Sequence, residues 1–174
     1  LREEFIEKLE TLKDREFIFI DESGIDLNIQ KEYGYELKGK RLFDEKYGNK
    51  ANEKRITIIS GSLNNKFIAP FRFEGYTNTE SFNIWIKENL LPELKPNQVI
   101  VMDNASFHKS QKTRELIESK GCNLLYLPPY SPDFNPIEKM WGSMKKFYRN
   151  HKYKYNDVYE LIDDLLCNRK ISTI

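Results

Sequence analysis

The chain has 174 residues, 39% hydrophobic and 32% charged, with 11 Phe, 10 Tyr and 2 Trp: enough to fill one core and too much for disorder. Its 28 Lys and Arg nearly balance 27 Asp and Glu, so total charge announces no polyanionic partner. Two cysteines with no CxxC or Cys/His cluster exclude a disulfide framework and a zinc module.

The longest uncharged apolar runs, such as Val99–Met102, fall far short of the ~18 residues that cross a bilayer, and the acidic N-terminus has no signal-peptide core. A reducing, intracellular setting away from membranes is expected. With no initiator Met, the chain is expected to be a piece of a longer protein.

Residues 1–15 read as a charged helix with Phe5, Leu9 and Leu12 at helical spacing. Glu16–Asp21 is a nearly continuous apolar run ending in an acid, the pattern of a buried strand. Tyr33–Leu37 reads as another strand, with Lys38-Gly-Lys-Arg41 as its exit turn. Arg55–Leu63 and Lys66–Phe73 flank Asn64-Asn65 as a hairpin, and Pro70 puts the second strand at an edge or a bulge. Thr79–Leu91 is a helix with Phe82, Trp85, Ile86 and Leu90 on one face and Thr79 as N-cap. Gln98–Asp103 is a second buried strand ending in an acid. Lys109–Lys120 is a helix stopped by Gly121, and Cys122–Leu127 is the next strand. A stiff loop, Pro128–Pro136, leads to helices at Pro136–His151 and Asp157–Asn168. Antiparallel strands first and strand–helix–strand units afterwards predict one α/β domain over residues 1–174. Its mixed five-stranded sheet should be antiparallel over the first three strands, then parallel, with helices on its faces.

Charge is unevenly placed. Lys139, Lys145, Lys146, Arg149, Lys152 and Lys154 fall between Lys139 and Tyr155 with no acid among them, which leaves 22 basic against 27 acidic residues elsewhere. An acidic body carries one basic arm. Trp141, Phe147, Tyr148, Tyr153 and Tyr155 interleave with these cations, as in surfaces that hold phosphates and stack on splayed bases. Core packing explains Trp141 better, and Phe147 to a lesser extent.

Two apolar strands deliver Asp21 and Asp103 at their C-terminal ends, the edge of an α/β sheet where ligands gather. Either aspartate alone also suits a turn or a cap. On neighbouring parallel strands the pair would repel unless a proton or a cation lay between them, and Mg²⁺ or Mn²⁺, which take oxygen ligands, fit that place. Glu138 is the third acid. With Asn135 as N-cap and Pro136 at N1, it occupies the capping-box position; it also stands at a defined place after a rigid loop. Ile137, Met140, Trp141, Met144 and Tyr148 form the apolar face of this helix. Gly142, Lys145 and Arg149 follow Glu138 on its own side, a strip along which a phosphodiester could lie.

Phe19-Ile-Asp-Glu-Ser-Gly24, Val101-Met-Asp-Asn-Ala-Ser-Phe-His108 and Leu127-Pro-Pro-Tyr-Ser-Pro-Asp-Phe-Asn-Pro-Ile-Glu-Lys-Met-Trp141 resemble the catalytic motifs of DDE transposases, in the mariner-type superfamily with its bacterial insertion-sequence relatives. The resemblance runs from about Phe17 to Arg149, and 34 residues separate Asp103 from Glu138, the spacing of that branch. Tyr33-Gly-Tyr and Lys38-Gly-Lys-Arg41 also resemble the family's region after the first acid.

The resemblance implies an RNase H-like fold with Asp21, Asp103 and Glu138 as catalytic, metal-binding residues. Two Mg²⁺ or Mn²⁺ ions per site would serve hydrolytic nicking at transposon ends and strand transfer of the freed 3′-hydroxyl into target DNA. Asn104 and His108 would support a metal-bound carboxylate or contact DNA; either also suits a turn or helix start. Glu22 is a neighbour of the triad rather than a member, and Asp26 and Asp133 read as solvated turn residues. Lys139, Lys145, Lys146, Arg149 and Lys152 would bind the DNA backbone. Partners implied are transposon ends, target DNA and a second copy in a homodimer, in the cytoplasm on the bacterial nucleoid, with no membrane. The family's N-terminal helix-turn-helix modules have no room before Asp21, so residues 1–15 are expected to be a connecting helix. The rival readings are a host nuclease or resolvase of the same fold and a silent DNA-binding remnant. A paired-carboxylate glycosidase is more distant, because the basic strip has no use there.

Overall fold

The computed structural model describes residues 1–26, 38, 55–155 and 157–167. The expected strand at Tyr33–Leu37, the Gly39–Arg41 part of its exit turn and Asn168 lie outside the described residues. Five runs rich in β-branched and aromatic residues form strands β1 (Phe17–Asp26), β2 (Arg55–Leu63), β3 (Lys66–Glu74), β4 (Val99–Met102) and β5 (Asn123–Tyr126). They pair in the order β3-β2-β1-β4-β5. Strand β2 is antiparallel to β1 and β3, and β4 is parallel to β1 and β5. This is the expected mixed sheet, in the arrangement of the RNase H-like fold.

The hairpin between β2 and β3 turns through Asn64 and Asn65 at φ 51° and 57°, left-handed values that suit the twist of a two-residue hairpin. As Pro70 implied, β3 is an edge strand, and its register shifts between Ile59 and Gly61 beside a left-handed Ala69 at φ 47°.

One boundary differs in a way that matters. Strand β1 does not stop at Asp21, because Glu22–Asp26 pair with Arg55–Ile59 of β2. Asp21 therefore lies mid-strand, and Asp26 ends the strand instead of lying in a loop. Toward β4, however, the parallel ladder finishes at Phe19 and Val101. Continued two residues, the same offset aligns Asp21 with Asp103.

Helices cover both faces. On one, α2 (Thr79–Trp85, continued by a wider turn at Ile86–Leu90) and α3 (Gln111–Ser119) bury Phe82, Trp85, Ile86, Leu90 and Ile117 against Ile18, Ile20, Ile100 and Met102. Helix α2 is capped by Asn78, one residue before the expected Thr79. The Asn78 side chain accepts from the Ser81 amide at 2.8 Å, and the Ser81 hydroxyl accepts from the Asn78 amide at 3.0 Å. Ser110 caps α3, and Gly121 leaves it at φ 70°.

On the other face, α1 (Arg2–Thr11) seats Phe5 against Val99, Val101 and Leu127, with Leu9 and Leu12 partly buried beside them. Helix α4 (Ile137–His151) buries Ile137, Met140, Trp141, Met144 and Tyr148, all five residues of its expected apolar face. They meet Ile25, Ile56 and Ile58 of the sheet and Leu161, Ile162, Leu165 and Leu166 of α5 (Val158–Cys167).

Alternation along β1 thus sends Ile18 and Ile20 to one core and Ile25 to the other. Ile20, fully buried one residue before Asp21, is the sensitive point of this arrangement. Ile20→Ala is expected to cost about 2–5 kcal/mol through lost burial and a residual cavity, measured as a lower midpoint at unchanged slope in urea unfolding.

Candidate active site

Asp21, Asp103 and Glu138 line one cavity of about 410 Å³, together with Asn104, Asn135 and the wall from Leu127 to Pro132. Each arrives by a different route. Asp21 rides on β1, and Asp103 follows the last residue of β4. Glu138 is the second residue of α4, whose N-cap is Pro136 with no side-chain cap bond. The expected capping box is therefore not formed. The helix starts one residue later than that pattern requires, Asn135 is extended at φ −107°, and Glu138 is left exposed.

Both aspartates are oriented by bonds to one of their two oxygens. Asp21 Oδ2 accepts from the Trp141 indole N–H at 3.2 Å. Trp141 is 2% exposed and stacks on Phe67 at 4.9 Å, so one residue serves the core and the carboxylate together. The sequence pattern favours a core place for Trp141 and gives no sign of the bond to Asp21. Asp103 Oδ1 accepts from the Ala105 amide at 2.8 Å and meets His108 Nδ1 at 2.6 Å. The other ring nitrogen of His108 lies 2.9 Å from Glu22 Oε1. His108 has no exposed surface, and Phe82 and Phe107 pack on its ring, each at 4.4 Å. It supports Asp103 and has no surface with which to touch DNA. Asn104 donates its amide to the Leu127 carbonyl, tying the exit of β4 to the proline-rich loop.

The electrostatics follow from these contacts. Burial alone would lower the His108 pKa, but its bonds to Asp103 and Glu22 raise it to about 9, so a buried cation bridges the two carboxylates. The same His108 bond holds Asp103 below the usual carboxylate range. Among the described residues, Asp21 has no such partner. Burial first, then the charges of Glu22 and Glu138, push it up to about 7, against a lowering contribution from the Glu22 amide.

The sequence-selected cations are not all alike. Lys139, Lys145, Lys146 and Arg149 are exposed on α4, and Lys152 is half-buried in the short turn that follows. Glu138, Gly142, Lys145 and Arg149 form an exposed strip, and a Cβ at Gly142 would meet nothing within 4 Å. Phe147 is 39% exposed and stacks on His151 instead of entering the core. Tyr155 bonds Asp164, and Tyr148 is core. Asp133, expected as a free turn residue, pairs with Arg2 of α1 at 2.5 Å.

An all-oxygen donor set from three carboxyl groups at one cavity suits a hard divalent cation. Among the described residues, no three His, Cys, Asp or Glu side chains form a ready cage for one ion. A metal here would be held by carboxylates shared across the cavity.

A family described as DDE superfamily endonuclease matches residues 16–162. The transposable element Tc3 transposase of Caenorhabditis elegans is 40% identical over 63 residues, covering 36% of this chain and 18% of that protein. The crystal structure of the Mos1 strand transfer complex superimposes with a TM-score of 0.60 at 18% identity, over 96% of this chain and 58% of that one. Further Mos1 paired-end complexes, crystallised with Mn and with Mg, superimpose with TM-scores of 0.60 and 0.56. The catalytic core domain of BIV integrase superimposes with a TM-score of 0.54 at 12% identity, over 91% of this chain and 86% of that domain. The chain spans less than two thirds of the Tc3 and Mos1 proteins.

The raised Asp21 pKa has a stability consequence with a definite sign. The native state keeps this proton up to about pH 7, whereas the unfolded chain loses it near 3.8, so stability falls as pH rises through that window. Asp21→Asn keeps an acceptor for Trp141 and removes the charge. In chelator at pH 8 its Tm is expected to exceed wild type by about 3–6 °C, a gap that closes toward pH 4; thermal melts across that range check this.

Proposed function

This chain belongs to the DDE superfamily endonuclease family, and on that premise we propose that it is the catalytic domain of a mariner/Tc-like transposase that cuts and joins DNA. The observation that carries the proposal is the meeting of Asp21, Asp103 and Glu138 at one cavity beside an exposed basic strip.

In this reading the three carboxylates hold two Mg²⁺ or Mn²⁺ ions. Such a pair, when bound, activates the attacking water or 3′-hydroxyl and stabilises the leaving oxygen of an in-line phosphoryl transfer. The protein's own part is positioning. Trp141 fixes Asp21 by one oxygen, and the Glu22–His108 bridge fixes Asp103 by one oxygen, so each offers the other to a metal. Lys139, Lys145, Lys146, Arg149 and Lys152 neutralise backbone phosphates, with the open surface at Gly142 letting the strand approach α4 closely. In hydrolysis, water attacks phosphorus and the P–O3′ bond breaks, leaving a 3′-hydroxyl. In strand transfer that 3′-hydroxyl attacks a target phosphorus in the same site, so that a new P–O3′ bond forms while the target's own P–O3′ bond breaks and its 3′-hydroxyl leaves.

The proposed substrates are transposon ends and target DNA, with two copies of the chain pairing two ends as a homodimer. Paired-end assemblies of Mos1 support that arrangement. None of the helices among the described residues is long and apolar enough to cross a membrane. The working place proposed is on the DNA, in the cytoplasm and nucleoid of a bacterial cell.

Cleavage of duplex DNA bearing candidate element ends should appear with Mn²⁺ or Mg²⁺, vanish in chelator and fall at least about 10³-fold in Asp103→Asn, as for loss of a charge-stabilising catalytic group. Because metal must displace the Asp21 proton, apparent metal affinity should fall about tenfold per pH unit below 7. Gel assays across pH and metal concentration measure both. Cleavage without joining would indicate a nuclease, and metal-independent silence in a folded protein would leave only a DNA-binding remnant.

Gly142→Ala separates fold from DNA contact. The added methyl fits without a clash and should stabilise α4 by roughly 0.5–1 kcal/mol. DNA affinity should nevertheless fall several-fold, as read by anisotropy beside a thermal melt.

A further inference from the structure

The Pro128–Pro136 loop displays an aromatic ring that the fold does not use. Tyr130 is 100% exposed, the most exposed large hydrophobic side chain among the described residues. Its backbone sits at φ 54°, in the left-handed region that bulky L-residues disfavour.

The loop around it is nonetheless fastened on both sides. Arg2 donates to Asp133 at 2.5 Å and to the Ser131 hydroxyl at 3.1 Å, and that hydroxyl donates to the Pro129 carbonyl at 3.1 Å. The Phe134 amide donates to the Ser131 carbonyl at 3.2 Å, and Asn104 holds the Leu127 carbonyl. A strained backbone held in place by its surroundings, with the side chain left in solvent, is a pattern that marks a functional position.

Its location says what the ring can meet. Tyr130 lines the same cavity as Asp21, Asp103 and Glu138, with Pro129 and Pro132 beside it as an apolar wall. Asn135 lines it too, 6% exposed, with an Oδ1 for which the described residues supply no hydrogen bond.

We propose that Tyr130 is a stacking platform for an unpaired nucleobase that flanks the phosphate held at the carboxylates. The inference rests on the DNA-cleaving function proposed above and adds to it a subsite for single-stranded or splayed DNA. An aromatic face accepts any base, so the subsite favours an unpaired strand over a duplex without reading its sequence.

The test compares two fluorescein-labelled hairpin DNAs in chelator, one with a 3′ overhang of four thymidines and one with four abasic sites in its place. Anisotropy should show wild type binding the thymidine overhang about tenfold more tightly. Tyr130→Ala should bind both as wild type binds the abasic one, and Tyr130→Phe should keep the preference. Tyr130→Gly should lose the preference while its Tm rises, because glycine relieves the left-handed backbone; that rise separates lost stacking from lost folding. Equal wild-type affinities, no wild-type binding, or a preference that survives in Tyr130→Ala overturns the inference. If wild type still cleaves with Mn²⁺ in that event, the nuclease reading stands and only the stacking site fails. If the tyrosine-dependent preference appears without any cleavage, the nuclease reading fails and the placement of the base beside a scissile phosphate falls with it.

Discussion

Burial of a carboxylate among other carboxylates organises this molecule. Burial on a central strand raises the proton affinity of Asp21 most, and the charges of Glu22, adjacent in sequence, and of Glu138 and Asp103 across the cavity raise it further. The fold answers the repulsion on one side only. His108, sealed between Phe82 and Phe107, supplies a buried cation that bridges Glu22 and Asp103. Among the described residues, nothing comparable serves Asp21 and Glu138. Burial and those charges disfavour the ionised form of Asp21, which therefore holds its proton up to about pH 7.

That division explains why the surroundings are so apolar. The two cores meet at β1, and the bonds that aim the carboxylates come from residues embedded in them: Trp141 from one side of the sheet and His108 from the other. Long side chains on a flexible surface could bear the same charges but could not hold their directions. Packing therefore acts on chemistry here by orientation, through residues that touch no substrate. The basic strip on α4 belongs to the opposite regime, exposed and interchangeable, where charge matters more than exact position.

Much of this was legible in the sequence because short-range patterns carried it. Apolar runs located the strands, Asn64-Asn65 the hairpin, Pro70 the irregular edge, and the spacing of Ile137, Met140, Trp141, Met144 and Tyr148 the buried face of α4. The motif order brought Asp21, Asp103 and Glu138 together as candidates. What escaped depends on pairing between distant segments. The extension of β1 through Glu22–Asp26 has little strand character of its own and exists because β2 pairs with it. The Glu22–His108 bridge joins residues 86 positions apart. The sequence offers Trp141 as an aromatic of the basic arm or, better, as a core residue, and the structure adds to the core role a bond from its indole nitrogen to Asp21. The capping pattern around Glu138 is locally sound, but Pro136 takes the cap and Asn135 Oδ1 accepts no bond from the first turn of α4.

In the proposed function, Asp21, Asp103 and Glu138 together hold divalent cations against a DNA phosphate. Anomalous diffraction from crystals grown with Mn²⁺ and a short duplex tests it most directly. Two anomalous peaks are expected about 3.5–4 Å apart, as two-metal phosphoryl-transfer sites show, within coordination distance of Asp21, Asp103 and Glu138. A well-ordered complex with Mn²⁺ bound elsewhere, or with none at these carboxylates, would contradict it.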